Sequence, residues 1–245
     1  TICAAFLVRF QIFQIHKQEF YNAVLCGFFL FAGYAFQNFG LWENEFYTST
    51  TPSKSAFITS ISIIMVPIML VITGTQKVSS RIWTAILLAT IGLYLLLDPR
   101  GSGISLGDIF TFGCATSFAI HIILQDHYAK KGIHVTRFFL IQVLAVTIFS
   151  FICSFFFDTQ SPSWSPELIN ALLMTGIIAT AIAILIMVWA QQILSPSQTA
   201  LIFSLEPVFA ALFSWILISE LLGFWGWIGG LLVVFAVIWS ESKSD

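Results

Sequence analysis

The 245-residue chain is 58 % hydrophobic and 9 % charged, with a mean hydropathy of +0.93 and a formal net charge of −2. Soluble domains carry about 25 % charged residues, so a water-facing globular fold is excluded and the lipid bilayer is the expected surroundings. The slight negative charge offers nothing to hold a phosphate backbone, so no nucleic-acid partner is expected.

A spanning helix needs about 20 mostly apolar residues. Read on that basis, the chain gives nine segments: 1–13 (partial), 22–41, 54–73, 81–98, 106–126, 137–157, 168–190, 196–219 and 224–241. The runs are continuously apolar and do not alternate, which argues against a β-barrel. The fold class expected is therefore an all-α polytopic bundle. Thr1 opens in the middle of an apolar run without an initiator Met, so the sequence reads as a fragment lacking its first segment. Cys3, Cys26, Cys114 and Cys153 all fall in apolar stretches and read as small buried residues. No metal or cofactor is expected.

Basic residues set the orientation. Arg9, Lys17, Lys77, Arg81, Lys130, Lys131, Arg137 and Lys243 fall on one side if every segment crosses once. The other side holds mostly acids, with Arg100 and Lys54 as its basic residues. The C-terminus is thereby expected in the cytoplasm. The segment 196–219 carries Glu206 near its midpoint, followed by Pro207. A charge there costs about 2.5–3.5 kcal/mol on insertion scales, and an inert anchor has no use for it.

The chain also repeats. TPSKSAFITSIS from Thr51 and SPSQTALIFSLE from Ser195 align without a gap at an offset of 144 residues, which pairs Pro52 with Pro196 and Ser60 with Ser204. The same offset pairs 81–98 with 224–241. By the charge rule the copies face opposite ways, giving two expected repeats, 1–100 (truncated) and 106–241, and ten helices in the parent. Inverted repeats are the mark of alternating-access transporters.

Here the residues resemble a family. Ser195 and Pro196, an alanine-rich helix, Glu206–Pro207, Glu220 and the Gly229–Gly230 pair together resemble an EamA domain of the drug/metabolite transporter superfamily. The first copy, with Val66 and Pro67, resembles the matching helix of the other EamA repeat. The likeness runs from Tyr34 to about Ile238; 42–46 reads as an insertion. It implies a secondary transporter, most often an exporter of small metabolites, in a bacterial-type inner membrane. It leaves the substrate open among amino acids, nucleotides and drugs.

Several polar residues are candidate cavity or substrate-binding positions. Thr111, Cys114, Ser117, His121 and Gln125 follow steps of 3, 3, 4 and 4, which puts them on one helix face. His121 could carry a proton, since imidazole titrates near neutral pH, or simply bond a neighbouring helix. Tyr34, Gln37 and Asn38 end one segment, as ligands or as interhelical glue. Thr59 and Ser62 share a face with Ser55, though such hydroxyls often bond their own backbone. Trp189 reads as an interface anchor or as a ring to stack on substrate. Pro67 and Pro207 are candidate kinks for gating. Gly176, Ala179 and Ala183, and Gly226 with Gly230, read as close-packing faces. The expected function is secondary transport of a small molecule, with proton coupling through Glu206 or His121 as one driving force. The rivals are a structural or receptor-like bundle and, with neither HExxH nor GxSxG present, an intramembrane enzyme. The absence of a GxxxxGK[ST] loop argues against ATP-driven pumping.

Overall fold

The computed structural model describes residues 16–43, 45–98, 103–157, 164–218 and 223–242. The expected segment 1–13 lies outside them, as do Cys3, Arg9, Arg100, Glu220 and Lys243. Eleven α-helices build eight spans among the described residues. They are α1 (Lys17–Leu41), α2 (Pro52–Ser60), α3 (Ser62–Ile72), α4 (Ser80–Leu97), α5 (Leu106–Ala129) and α6 (Val135–Phe157). There follow α7 (Pro166–Leu173), a π-helical stretch (Met174–Ile182), α8 (Ala183–Ala190), α9 (Pro196–Phe203), α10 (Glu206–Ile218) and α11 (Phe224–Glu241). This is an all-α, polytopic membrane protein.

The starts follow simple chemistry. A hydroxyl caps the first free N–H groups, and a following proline fits where no donor is needed. Thr51–Pro52, Ser165–Pro166 and Ser195–Pro196 each begin a span in this way. Ser195 adds a full capping box: it accepts from Gln198 N, while the Gln198 side chain accepts from Ser195 N. Large apolar side chains point outward along the spans, among them Ile72, Phe151 and Phe155 at 78, 75 and 80 % exposure, as lipid contact requires.

Two expected single helices are each broken in two. Residues 52–72 part at Ile61, and 196–218 part at Ser204–Leu205. The 144-residue offset carries one break onto the other. At both, a serine satisfies a carbonyl of the preceding turn: Ser60 Oγ donates to Ala56 O (2.7 Å) and Ser204 Oγ to Leu201 O (2.6 Å). Pro207 sits directly after the second break, whereas Pro67 lies inside the helical run of α3. The first break therefore needs no proline beside it.

The chain packs as two compact units, residues 1–32 with 124–194 and residues 33–123 with 195–245, so α1 and α5 contribute to both. In the first unit, Phe138, Phe139, Ala23, Cys26 and Val188 are buried. Phe28 and Phe31 set their rings against Phe149. The face is open at Gly176 and Ala179, since a Cβ on Gly176 would meet nothing within 4 Å and Ala179 is exposed, while Ala183 is half-buried. That corrects the expectation of close packing there.

In the second unit α4 and α11 form the central pair. Both are 18 residues long and stand 144 residues apart at either end. They run antiparallel. Arg81, at the start of α4, lies over the Trp239 ring near the end of α11 and donates to Ser242 O. Near the other end of α4, Gly92 and Leu96 meet Gly229. A Cβ on Gly229 would stand 2.4 Å from Gly92 O, and one on Gly92 would stand 2.7 Å from Gly229 O. Only glycine permits that approach. Gly226 and Gly230 are also buried, and a Cβ on Gly230 would make only ordinary contact, 3.7 Å from Val208.

Substituting Gly229→Ala is expected to destabilise the protein by about 1–3 kcal/mol, as overpacking does. Gly176→Ala, where a Cβ meets nothing within 4 Å, is expected to be near neutral or slightly stabilising. Thermal unfolding in detergent compares the two; equal melting temperatures would mean the crossing is not tight.

Candidate functional site

The polar stripe of α5 turns inward. Thr111, Cys114, Ser117, His121 and Gln125 are all buried. Two of them are partly satisfied at home: Thr111 Oγ1 donates to Gly107 O and Ser117 Oγ to Gly113 O. Thr59, the penultimate residue of α2, places its hydroxyl 3.9 Å from Cys114 Sγ. Tyr34 sets its ring edge against Phe118, one turn from Cys114 (5.7 Å between centroids). The structure thus brings Thr59 to the stripe and Tyr34 beside it.

Ser62 is half-buried and opens α3; Glu206 opens α10, exposed by residue, with its carboxylate near enough to Cys114 of the stripe for the two to interact electrostatically. Each is the first helical residue after a break, and the two stand 144 residues apart. Gln37 is half-buried and Asn38 exposed. Trp189 is 58 % exposed. A groove of about 350 Å³ opens between α2, α4 and α10, and of the candidates only Pro207 lines it.

Gln125 belongs to a buried chain of amides in the first unit. Gln142 Nε2 donates to Gln125 Oε1 (2.9 Å), and Gln125 Nε2 donates to Gln191 Oε1 (2.7 Å). All three are 0 % exposed. Sequence reasoning missed Gln142 and Gln191. The signal was there: Gln142 interrupts the apolar run of α6, and amides at such depth need partners.

Two ion pairs were also missed. Arg137 grips Glu19 with two bonds, Nε to Oε1 at 2.9 Å and a second nitrogen to Oε2 at 2.5 Å, and both side chains are largely buried. In the second unit Asp108 is 6 % exposed and accepts from Lys54 Nζ (2.5 Å), Thr50 Oγ1 (2.7 Å) and Ser105 N (2.8 Å). Lys54 also donates to Gly103 O. Lys54, a basic residue on the acidic side of the charge count, is therefore neutralised locally.

Replacing Gln142 by Leu leaves Gln125 Oε1 without its donor and is expected to cost about 1–2 kcal/mol. A double-mutant cycle with Gln125→Leu, read by thermal unfolding, should give a coupling of about 0.5 kcal/mol or more. Strict additivity would mean the amides do not act as a unit.

Comparison with known proteins gives this arrangement a context. The EamA-like transporter family matches residues 105–241. An uncharacterized transporter of Archaeoglobus fulgidus is 32 % identical over 220 residues, 90 % of this chain and 68 % of that protein. A protein of Bacillus subtilis named as permease-like, YdzE, is 36 % identical over 63 residues, 26 % of this chain and 81 % of that one. A protein of known crystal structure shares the fold with a TM-score of 0.77, the match covering 98 % of this chain and 81 % of that one at 13 % identity. The family match over residues 105–241 and the Archaeoglobus relative agree, and the chain belongs to the EamA-like transporter family.

Proposed function

We propose that this transporter is a secondary carrier that moves a small metabolite, amino acid or drug, most simply outward, by alternating access. The observation that carries the reading is the repeat. Helices 144 residues apart break at equivalent positions, and the equivalent pair α4 and α11 run antiparallel. Two inverted copies of one unit supply two similar arrangements of a single scaffold, which is what exposure to one side and then the other requires.

The substrate site in this reading lies near the broken helices. A break exposes backbone polar groups at membrane depth, where they are tolerated only beside protein or a water-filled cavity. Thr59, Cys114 and His121 supply polar groups near the first break. Glu206 supplies the carboxylate at the second. Gln125 is committed to its amide chain and Trp189 faces outward, so they support the bundle. Gln37 and Asn38 remain ligands at the end of α1. Glu206 is the group best suited to a proton or a cationic substrate, because it is exposed and stands at a hinge.

With full-length protein in liposomes, counterflow of labelled amino acids, nucleotides and drugs should identify a transported class. No uptake across that panel would favour a structural bundle. Glu206→Gln is expected to lower transport about tenfold or more, equal to about 1.4 kcal/mol in the barrier, with insertion intact. Unchanged transport at every pH would remove Glu206 from the mechanism. If His121 carries the proton, His121→Gln flattens the pH profile of transport; an unaltered profile excludes that role.

A further inference from the structure

One end of the α4–α11 pair carries a cation set against an aromatic wall. Phe235 and Trp239 stand one turn apart on α11 and stack, with ring planes 24° apart and centroids 6.2 Å apart. The Arg81 guanidinium, from the start of α4, lies over the Trp239 ring, 5.6 Å from its centroid. The two rings and the guanidinium form one layered stack across two helices. Arg81 also donates to Ser242 O. A guanidinium has five N–H donors in a planar fork, and among the described residues no carboxylate forms an ion pair with this one.

The stack lies open to its surroundings. Phe235 is 52 % and Trp239 42 % exposed. Lys77, four residues before Arg81 in the connection that leads into α4, is exposed as well. Glu241 is the acid at this end of α11, and its carboxylate is held on α9 by Gln198 Nε2 at 3.0 and 3.2 Å. Further along the pair, Leu87 and Ile91 of α4 and Leu231 of α11 are exposed apolar side chains. Cations, an interfacial tryptophan and apolar surface thus follow one another from the end of the pair toward its middle.

The 144-residue offset supplies a comparison. It carries Arg81 to Trp225, Lys77 to Leu221, Trp239 to Leu95 and Ser242 to Asp98. The opposite end of the pair therefore has apolar residues where this end has cations, and it closes on Gly92 and Gly229 without an arginine. Packing α4 on α11 does not call for Arg81.

We infer that this patch binds one anionic phospholipid, from the leaflet at the end where the basic residues gather. Arg81 turns its remaining donors to the phosphate, whose geometry matches the fork. Trp239 holds the guanidinium by its ring face and sits where aromatic belts meet the headgroups. Lys77 adds the second charge, and the acyl chains lie along Leu87, Ile91 and Leu231. A zwitterionic lipid offers the same chains and phosphate but brings an ammonium, which two cations disfavour. Basic sites of this kind suit the anionic headgroups of the cytoplasmic leaflet. The lipid touches both helices and clamps the pair at the end away from its glycine crossing. The inference is independent of the carrier reading.

Native mass spectrometry of the full-length protein, released from an uncharged detergent, tests it. Phosphatidylglycerol and phosphatidylcholine with matched oleoyl chains are titrated separately. One phosphatidylglycerol should be retained about tenfold or more tightly than phosphatidylcholine. Lys77→Gln and Arg81→Gln should each cut that preference about fivefold. Arg81→Lys keeps the charge but not the fork, and should fall between wild type and Arg81→Gln. Lys77 lies in an exposed connection, so its variant serves where Arg81→Gln fails to fold. Lys131→Gln, an exposed cation of the first unit, should leave the preference as it was. Equal retention of the two lipids overturns the inference. So does a preference that neither Lys77→Gln nor Arg81→Gln moves, or one that Lys131→Gln lowers as much as they do.

Discussion

The contact on which the second unit depends is the crossing of α4 and α11 at Gly92 and Gly229. Lipid tails are as apolar as leucine, so burying more apolar surface does not drive two helices together in a bilayer. Close backbone approach does, and it requires residues without bulk. Under the 144-residue offset, Gly92 maps to Ala236 and Gly229 to Ala85, and both alanines are fully buried. A self-complementary contact of this kind meets its own counterpart across a two-fold axis. The small residues thus recur in the pattern that an antiparallel pair of equivalent helices demands. The broken helices flank that seam: α2 and α3 touch α4 or its neighbours, and α9 packs against α3, α4 and α11.

Polar groups are then placed where lipid would otherwise leave the backbone or a charge unsatisfied. Water is absent from the hydrocarbon, so every N–H and C=O needs an internal partner. At the two breaks, serine hydroxyls return a bond to the preceding turn. At the start of α5, Asp108 gathers a lysine, a hydroxyl and a backbone N–H, while Gly107 N donates to Thr48 O and Thr50 N to Gly40 O. Gly107 and Gly40 allow this, because a Cβ on Gly107 would stand 2.3 Å from Thr50 N and one on Gly40 would stand 2.4 Å from Thr111 Oγ1. The connection between α1 and α2 is stitched to α5 by backbone as well as by charge.

Hydropathy made the spans legible because lipid imposes one rule on all of them. It misjudged their ends for the same reason. α1 begins at Lys17, not at residue 22, since Glu19 is held by Arg137 and a polar turn so paired can remain helical. α5 continues to Ala129, past the predicted end at residue 126, with Asp126 paired to Lys130 at i+4. The break at Ser204–Leu205 had a sign in the sequence, Pro207 just beyond it; the break at Ile61 had none, since no glycine or proline adjoins it. The stripe on α5 was legible from spacing alone. Its partners were not: Gln142 and Gln191 come from other helices, and single-sequence periodicity cannot say which faces meet. Gly176 and its neighbours show the converse error, since small residues permit close packing without compelling it.

Positions 144 residues apart match in helical placement but not in chemistry. Ser62 stands where Glu206 stands, each opening a helix just after a break. Glu206 is exposed, and Pro207 beside it lines the groove. In the proposed carrier, covering an ionised Glu206 without a partner would be costly, whereas covering a neutral or paired one would not, and Ser62 sets no such condition.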